Sequence, residues 1–391
     1  MSKVKKLSLL FVSALFVLVL AGCANKSNIH EIPEPVTDNS KIKIGVSIWS
    51  STDVLGAQSK KIIDYAADIL GVQVIYIDQG HVSEKVVSSV EQLCAAGCQG
   101  VVICNSSATE MISAIKTCND YGMYISQFYR TIKEQDDPES YTMAKESPFY
   151  VGAVHENEVE NGKKLVKMLA DKNRRNIGLI GWTQGDATWL GRWEGYKAGV
   201  EEWNTKHPND KIKLSEPQYA GTTSDGGSSA AEALISADPK IDALIPAGGG
   251  GDPLLGAVAA VERLGLVGKV DIVSTDFLAD LGERLENKTM AGESGGHFCD
   301  PLISFLLVYN TIKGNYSNFE NKFVDIEHPY IYVSSSEDYA KFEKYFIDQP
   351  PYNRDEIIEM SNMTLDELKN KSMTVSLEDA ERRAQANENK Q

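Results

Sequence analysis

"KIKIGVSIWSSTDVLGAQSKKIIDYAADILGVQVIYI", residues 41–77, sets two β-branched apolar runs on either side of a segment with a different period. In that segment Ile62, Ile63, Ala66, Ile69 and Leu70 recur at helical spacing, and Gly71 stands where a left-handed C-terminal cap belongs. Strand, crossover helix, strand is the unit of a parallel sheet, because parallel neighbours cannot be joined by a hairpin. The unit repeats through the helix "SEKVVSSVEQLCAA", which aligns Val86, Val87, Val90, Leu93 and Cys94, and the strand "GVVIC" at 100–104. A helix near 108–120 and the strand "MYISQF" complete one set. A second set starts around Phe149: "FYVGAV", a helix through Met168, "NIGLIG", a helix from about Thr188 to Trp203, then "IDALIP", "VDIVST" and "TMAGES". Two such sets exceed one doubly wound domain, so the fold class is α/β with two parallel-sheet lobes. Ligands of such sheets bind at the carboxyl ends of the strands, which makes the space between the lobes the expected cleft.

The glycine run "PAGGGGDPLLG", residues 246–256, lies between a strand and a helix and invites a phosphate-cradle reading. A Walker loop needs lysine and a hydroxyl residue after its last glycine, and here Asp252 and Pro253 follow. A dinucleotide GxGxxG frame fails as well, since its last glycine would fall on Pro253 or Leu254. Asp followed by Pro suits a helix start, with the acid capping orphan amides and the proline needing no donor. "GESGG" at 292–296 matches the serine hydrolase elbow and makes Ser294 a remote candidate nucleophile. A true elbow opens a helix at once, whereas the next helix signal here is Asp300 and Pro301.

Lys3, Lys5 and Lys6 precede an apolar run from Leu7 to Ala21 that ends in "LAGC" at 20–23. That run falls short of the roughly 20 residues that span a bilayer, and it ends in small residues, so residues 1–22 read as a signal peptide. The stretch resembles the lipobox of bacterial lipoproteins, which implies a lipid on Cys23 and attachment to the membrane. Residues 23–40 are polar, contain two prolines and lack periodicity, and read as a flexible tether with a reach of roughly 20–25 Å. Removing the leader with its three lysines takes the formal charge from -16 to -19, a poor surface for nucleic acid. Cys94, Cys98, Cys104, Cys118 and Cys299 remain, an odd number without CxxC spacing, and read as buried small hydrophobes. The histidines show no ligand spacing, and nothing calls for a metal or cofactor.

The start "KIKIGVSI", the segment "GCQGVVI", "GRWEGYKAGV" and "VDIVSTD" come in the order and spacing found in ribose-binding-protein-like type I periplasmic binding proteins. The resemblance covers about residues 41–350. It implies two lobes joined by three crossings near Ala153, His297 and Pro329. Residues 41–153 plus 297–329 would form the N-terminal lobe and 154–296 plus 330–350 the C-terminal lobe. Residues 351–391 lie beyond, as a helical extension and a frayed polar tail. The implied function is non-enzymatic: a monomeric, lipid-anchored, extracytoplasmic receptor that captures a small sugar or polyol and delivers it to the permease of an ABC transporter. A receptor of this fold presenting a sugar or furanosyl signal to a sensor kinase is the alternative.

The resemblance also places ligand candidates. Arg192 precedes "WEGY" as an arginine does in sugar receptors, and its rigid fork suits paired hydrogen bonds; a surface salt bridge is the competing reading. Asp276 ends "VDIVSTD" as an acid that accepts from hydroxyls. Trp49 and Asp53 follow the first strand, where receptors supply an aromatic and a polar contact. Trp182 sits at a strand end and suits stacking on a sugar face, whereas of Trp189 and Trp193 at least one belongs to the core. Arg130 matches a ligand arginine, although the acid that precedes it in the family is Tyr129 here. His297 lies at a crossing near a usual polar contact, and His155, Glu156 and Asn157 sit at another, as hinge or ligand groups. The glycine run offers backbone at Gly249, Gly250 and Gly251 where receptors present a side chain, unless Asp252 fills that role. A ligand larger than ribose, or differently substituted, is expected.

Overall fold

The computed structural model describes residues 30–80, 82–248, 252–317, 319 and 322–388. The chain opens with β1 (Lys43–Ile48), α1 (Val54–Leu70), β2 (Gln73–Asp78), α2 (Ser83–Ala95), β3 (Gly100–Ile103), α3 (Ala108–Tyr121), β4 (Tyr124–Phe128), α4 (Pro138–Glu146) and β5 (Tyr150–Glu156). The second set is α5 (Glu158–Asp171), β6 (Asn176–Gly181), α6 (Ala187–Lys206), β7 (Lys213–Leu214), β8 (Gln218–Tyr219), α7 (Ser224–Ala237), β9 (Ala243–Pro246), α8 (Asp252–Arg263), β10 (Asp271–Thr275), α9 (Leu281–Glu286) and β11 (Gly292–Gly295). The rest is α10 (Asp300–Ile312), β12 (Val324–His328), β13 (Ile331–Val333), α11 (Ser336–Phe342) with a π-helical continuation at Glu343–Asp348, α12 (Arg354–Met360), α13 (Leu365–Met373) and α14 (Leu377–Glu388).

Two sheets result. One has the order β12-β5-β4-β3-β1-β2 with every pair parallel. The other has the order β13-β11-β10-β9-β6-β7, with β8 also on β6 and only the β11–β13 pair antiparallel. This is the two-lobed α/β architecture that the alternation predicts. Gly71 ends α1 with φ 69°, the left-handed cap expected of it. The chain passes between the lobes three times: after Glu156, through Gly296–Cys299, and at Pro329 and Tyr330.

α10 is buried from its first residue to its last, as a helix apolar all round must be, and it packs across β3, β4 and β5. Its outer side is covered by the C-terminal helices. Ile357, Met360 and Leu368 are buried, Asn310 Nδ2 donates to the Met360 carbonyl at 3.3 Å, and Tyr316 OH donates to that of Met363 at 3.0 Å. The tail expected to fray is helical as far as Glu388, because Arg383 is tied to Glu356 at 2.7 Å, to Asp379 at 2.7 Å and to the Pro351 carbonyl. The described part of the expected free tether is docked as well. Val36 N donates to Ile312 O at 3.0 Å, and Asn39 Nδ2 donates to Leu70 O at 2.8 Å and to Tyr309 OH at 3.0 Å.

In the second lobe, α5 lies on α6 and α7 on α8 at distances only glycine allows. A Cβ on Gly195 would sit 2.2 Å from Val159 O, and one on Gly256 would sit 1.8 Å from Ser224 O. These close approaches replace the broad apolar stripe that α6 lacks.

Candidate ligand-binding cleft

The strand ends of both lobes converge on the crossings, and each lobe offers one strained residue there. Tyr129, after β4, has φ 62°, and Asp276, after β10, has φ 73°. A left-handed bulky residue costs of order 1–3 kcal/mol and persists only where its surroundings impose it. For Tyr129 the constraint is visible: its hydroxyl shares a 2.8 Å hydrogen bond with Ser59 on α1, and its N–H donates to Val154 O. For Asp276 it is the 2.7 Å bond from its N–H to Ser294 O on β11.

Around these residues the first lobe supplies Trp49 and Asp53 at the β1–α1 turn. Trp49 Nε1 donates to Asp53 Oδ2 at 2.6 Å, while Asp53 Oδ1 caps α1 by accepting from Gly56 N at 2.7 Å. Arg130 remains exposed, with Nη1 donating to the Tyr129 carbonyl at 2.8 Å and no ion-pair partner among the described residues. A chain of rings leads from the first lobe to the crossings: Trp49 to Tyr129 at 5.6 Å, Tyr129 to His297 at 5.1 Å, His297 to Tyr330 at 5.0 Å.

The second lobe supplies Arg192 from α6. It is 4% exposed, so the surface salt-bridge reading does not describe it. Its Nε donates to Glu158 Oε2 at 2.8 Å, and Nη2 donates to Glu158 Oε1 at 3.2 Å and to Tyr330 OH at 3.3 Å. The Trp182 ring centre lies 5.7 Å from its guanidinium carbon. Burial alone would lower the pKa of Arg192, but Glu158, Tyr330 and Asp276 outweigh it and keep the group charged. Asp276 is pushed up by burial and pulled back by Arg192 and by Arg130 across the cleft. Burial, then the Arg192 charge, drives His297 down to about 3, so its ring is neutral. His297 Nε2 is 3.2 Å from Asp276 Oδ1 but off the angle of a hydrogen bond. Arg192 Nη1, Asp276 Oδ1 and His297 Nδ1 thus remain as buried polar atoms with no partner. A buried donor or acceptor left unpaired costs about 1–3 kcal/mol, and the crossings hold a second such set in Glu156 Oε1, both Asp300 carboxyl oxygens and both His328 nitrogens.

The other candidates separate clearly. Gly250, like Gly249 and Gly251, lies outside the described residues. Helix α8 does begin at Asp252, whose side chain is likewise outside them. Gly248 passes so close to β10 that a Cβ there would meet Thr275 O at 1.6 Å. Cys23 also lies outside the described residues. Trp189 is core, fully buried against Tyr196, and Trp193 is half-buried on the same lobe. His155 bonds to Asp325 Oδ1 at 3.1 Å and to the Glu156 carbonyl, which makes it a strand-pairing residue, and Asn157 caps α5. Glu156 turns to Asp300, with His328 Nδ1 2.9 Å from Asp300 Oδ1; all three are buried at the crossings, and burial raises both acids. Ser294 departs from an elbow altogether: it is fully buried inside β11, its hydroxyl donating to Thr275 Oγ1 at 3.1 Å. The five described cysteines are free, and all but the half-buried Cys94 are buried.

The model of the periplasmic binding protein domain matches residues 44–295, well over half of the sequence. The chain belongs to that family. No curated protein matches this periplasmic binding protein. Among solved structures, it is similar to a protein from Mycobacterium smegmatis in complex with β-D-fucofuranose, at 18% identity and a TM-score of 0.61, over 82% of this chain and 97% of the other. An ABC transporter periplasmic solute-binding protein from Actinobacillus succinogenes with bound D-allose gives 16%, 0.64, 77% and 100% on the same measures. An ABC transporter solute-binding protein from Bacillus halodurans with bound myo-inositol gives 19%, 0.63, 79% and 100%. At these identities the likeness is one of fold. The family implies an extracytoplasmic location, and among the described residues no helix is long and apolar enough to cross a membrane.

Sequence reasoning did not find two residues of this periplasmic binding protein's cleft, Glu158 and Tyr330. Glu158 looks like an ordinary first-turn acid after the Asn157 cap, and Tyr330 is one ring in "HPYIYV". Tyr129 had a usable signal, its place at a strand's carboxyl end.

Proposed function

We propose that the protein is a lipid-anchored solute receptor that captures a small sugar or polyol between its lobes and delivers it to an ABC transporter permease. The observation that carries the reading is the trio of unpaired buried atoms, one donor on Arg192 and acceptor positions on Asp276 and His297, beside the rings of Trp182 and Tyr129. Hydroxyl groups both donate and accept, so a polyol satisfies all three, while the apolar face of a sugar ring suits the aromatics. An anion is disfavoured. Asp53, Asp276 and Glu158 balance Arg130 and Arg192, and His297 adds no charge. The sugars and the cyclitol bound by the proteins of similar fold support the same class. Capture follows from the crossings: ligand that bonds groups of both lobes binds the closed arrangement better and shifts the equilibrium toward it. The lipid on Cys23 is part of the proposal and would keep the receptor near its transporter.

Mass spectrometry of small molecules released from denatured protein, followed by calorimetric titration of the candidates, tests the reading. A neutral monosaccharide or cyclitol is expected. A released acid or amine, or no binding by any neutral polyol, would defeat it. Cys23→Ser should leave the protein in the soluble fraction and abolish labelling by a fatty acid.

A further inference from the structure

We infer that Glu158 and Tyr330 are positioning residues for ligand capture: they clamp one side of the Arg192 guanidinium so that Nη1 is presented to the cleft. The inference rests on reading the cleft as the ligand site. An arginine carries five N–H donors in a fixed plane, so fixing two of its nitrogens fixes the aim of the third. Glu158 takes Nε at 2.8 Å and Nη2 at 3.2 Å, and Tyr330 OH accepts from Nη2 at 3.3 Å. The same hydroxyl donates to Glu158 Oε1 at 3.1 Å and closes the ring of contacts. Burial pushes the phenol well above its ordinary pKa, so the proton needed for that bond stays in place. Nη1 is left over, buried and unpaired, as the guanidinium nitrogen that neither Glu158 nor Tyr330 holds.

The clamp is assembled from all three crossings. Glu158 follows the first by two residues, and the Asn157 side chain fixes that helix start by accepting from Glu160 N at 2.9 Å. Tyr330 is part of the third. His297, on the second, packs its ring edge-on to Tyr330 at 5.0 Å and so limits where the phenol can swing. Contact between Arg192 and ligand is thereby linked to the segments that must turn when the lobes move.

The test compares Tyr330→Phe and Glu158→Gln in the wild-type and Arg192→Met backgrounds, titrated with the tightest binder among D-ribose, D-allose and myo-inositol. Tyr330→Phe should weaken binding about 10-fold and Glu158→Gln on the order of 100-fold. In the Arg192→Met background each loss should shrink to about twofold or less, because the residues act through the arginine. Equal losses in both backgrounds would overturn the inference. A second measurement needs no ligand: the Arg192 Nε–H resonance of the wild-type protein should exchange slowly and should shift in both variants. Exchange as fast as that of an exposed guanidinium overturns the clamp even if a variant fails to fold. If none of the three probes binds while the resonance behaves as expected, the clamp stands and the polyol reading falls.

Discussion

Asp300→Asn isolates the buried acid cluster at the crossings. Burial raises the Asp300 carboxyl from 3.8 to about 7, against the opposing bond from Glu156 and the charge of His155. The raised value means that the folded state holds a proton which the unfolded chain has already released between those two pH values. Stability therefore falls as pH rises through this window, the reverse of the usual salt-bridged carboxylate. At about 1.36 kcal/mol per unit, the effect is on the order of a few kcal/mol, shared with the neighbouring Glu156, and more than half of it falls between pH 5 and pH 8. Asparagine keeps the shape of the protonated acid and cannot ionise. Urea unfolding of wild type and variant at pH 5, 6, 7 and 8 should give curves that diverge steadily, the variant gaining on the wild type toward pH 8. His297, near 3 in the fold, loses stability as pH falls below the unfolded value of 6.5 in both proteins and cancels in the difference, while the same loss at His328, which touches Asp300, is confined to pH below about 6.5, so the divergence between pH 7 and pH 8 reports the acid. Parallel curves would show that Asp300 does not hold its proton and would refute the reasoning.

Arg192→Ala combined with Asp276→Ala should abolish binding of the released ligand, a loss of at least 100-fold by calorimetry, since together they remove two of the three unpaired buried groups; near-normal affinity would remove these residues from the site. Leu368→Ala, at a fully buried position on α13, should cost about 2–5 kcal/mol in urea unfolding, because the extension is part of the first lobe's core; a cost below about 0.5 kcal/mol would mean that α13 does not pack. Ser294→Ala should change stability by about 1 kcal/mol and leave ligand affinity within about twofold, as a buried strand hydroxyl bonded to Thr275 would; ester turnover by the wild type that this variant loses would restore the hydrolase reading.

The parts of the fold that were legible are those where local period and burial agree. β6 occupies the six residues of "NIGLIG", and α1 ends at the glycine marked for it. Helix α7 escaped because "SDGGSSAAEALISA" contains adjacent glycines that discourage a helical reading. Their reason is tertiary: a Cβ on Gly227 would sit 2.1 Å from Pro253 O, so the helix trades propensity for a close approach to α8. The cleft divides the same way. Trp49, Asp53 and Asp276 could be placed because a strand end in a doubly wound sheet is a position with a known direction. Glu158, Tyr330 and the Glu156–Asp300 pair could not, because each matters only through partners on other elements: Arg192 lies 34 residues from Glu158 and 138 from Tyr330.

Those partners give the molecule its economy of parts at the crossings. Glu156 and Glu158 flank the first, His297 and Asp300 the second, His328 and Tyr330 the third, so each crossing carries one residue of the buried acid cluster and one of the cleft within three positions. A segment that short has few soft dihedrals between its two residues, and rotation there moves both. The acid cluster and the groups that aim Arg192 therefore share the same three short segments. The buried polar groups of the hinge are costly as stabilising interactions, with two acids raised by burial and a neutral histidine beside them. Their placement makes sense as a way of holding three separate chain segments in one register, since polar groups buried away from water can meet only one another, whereas an apolar contact would let the segments slide.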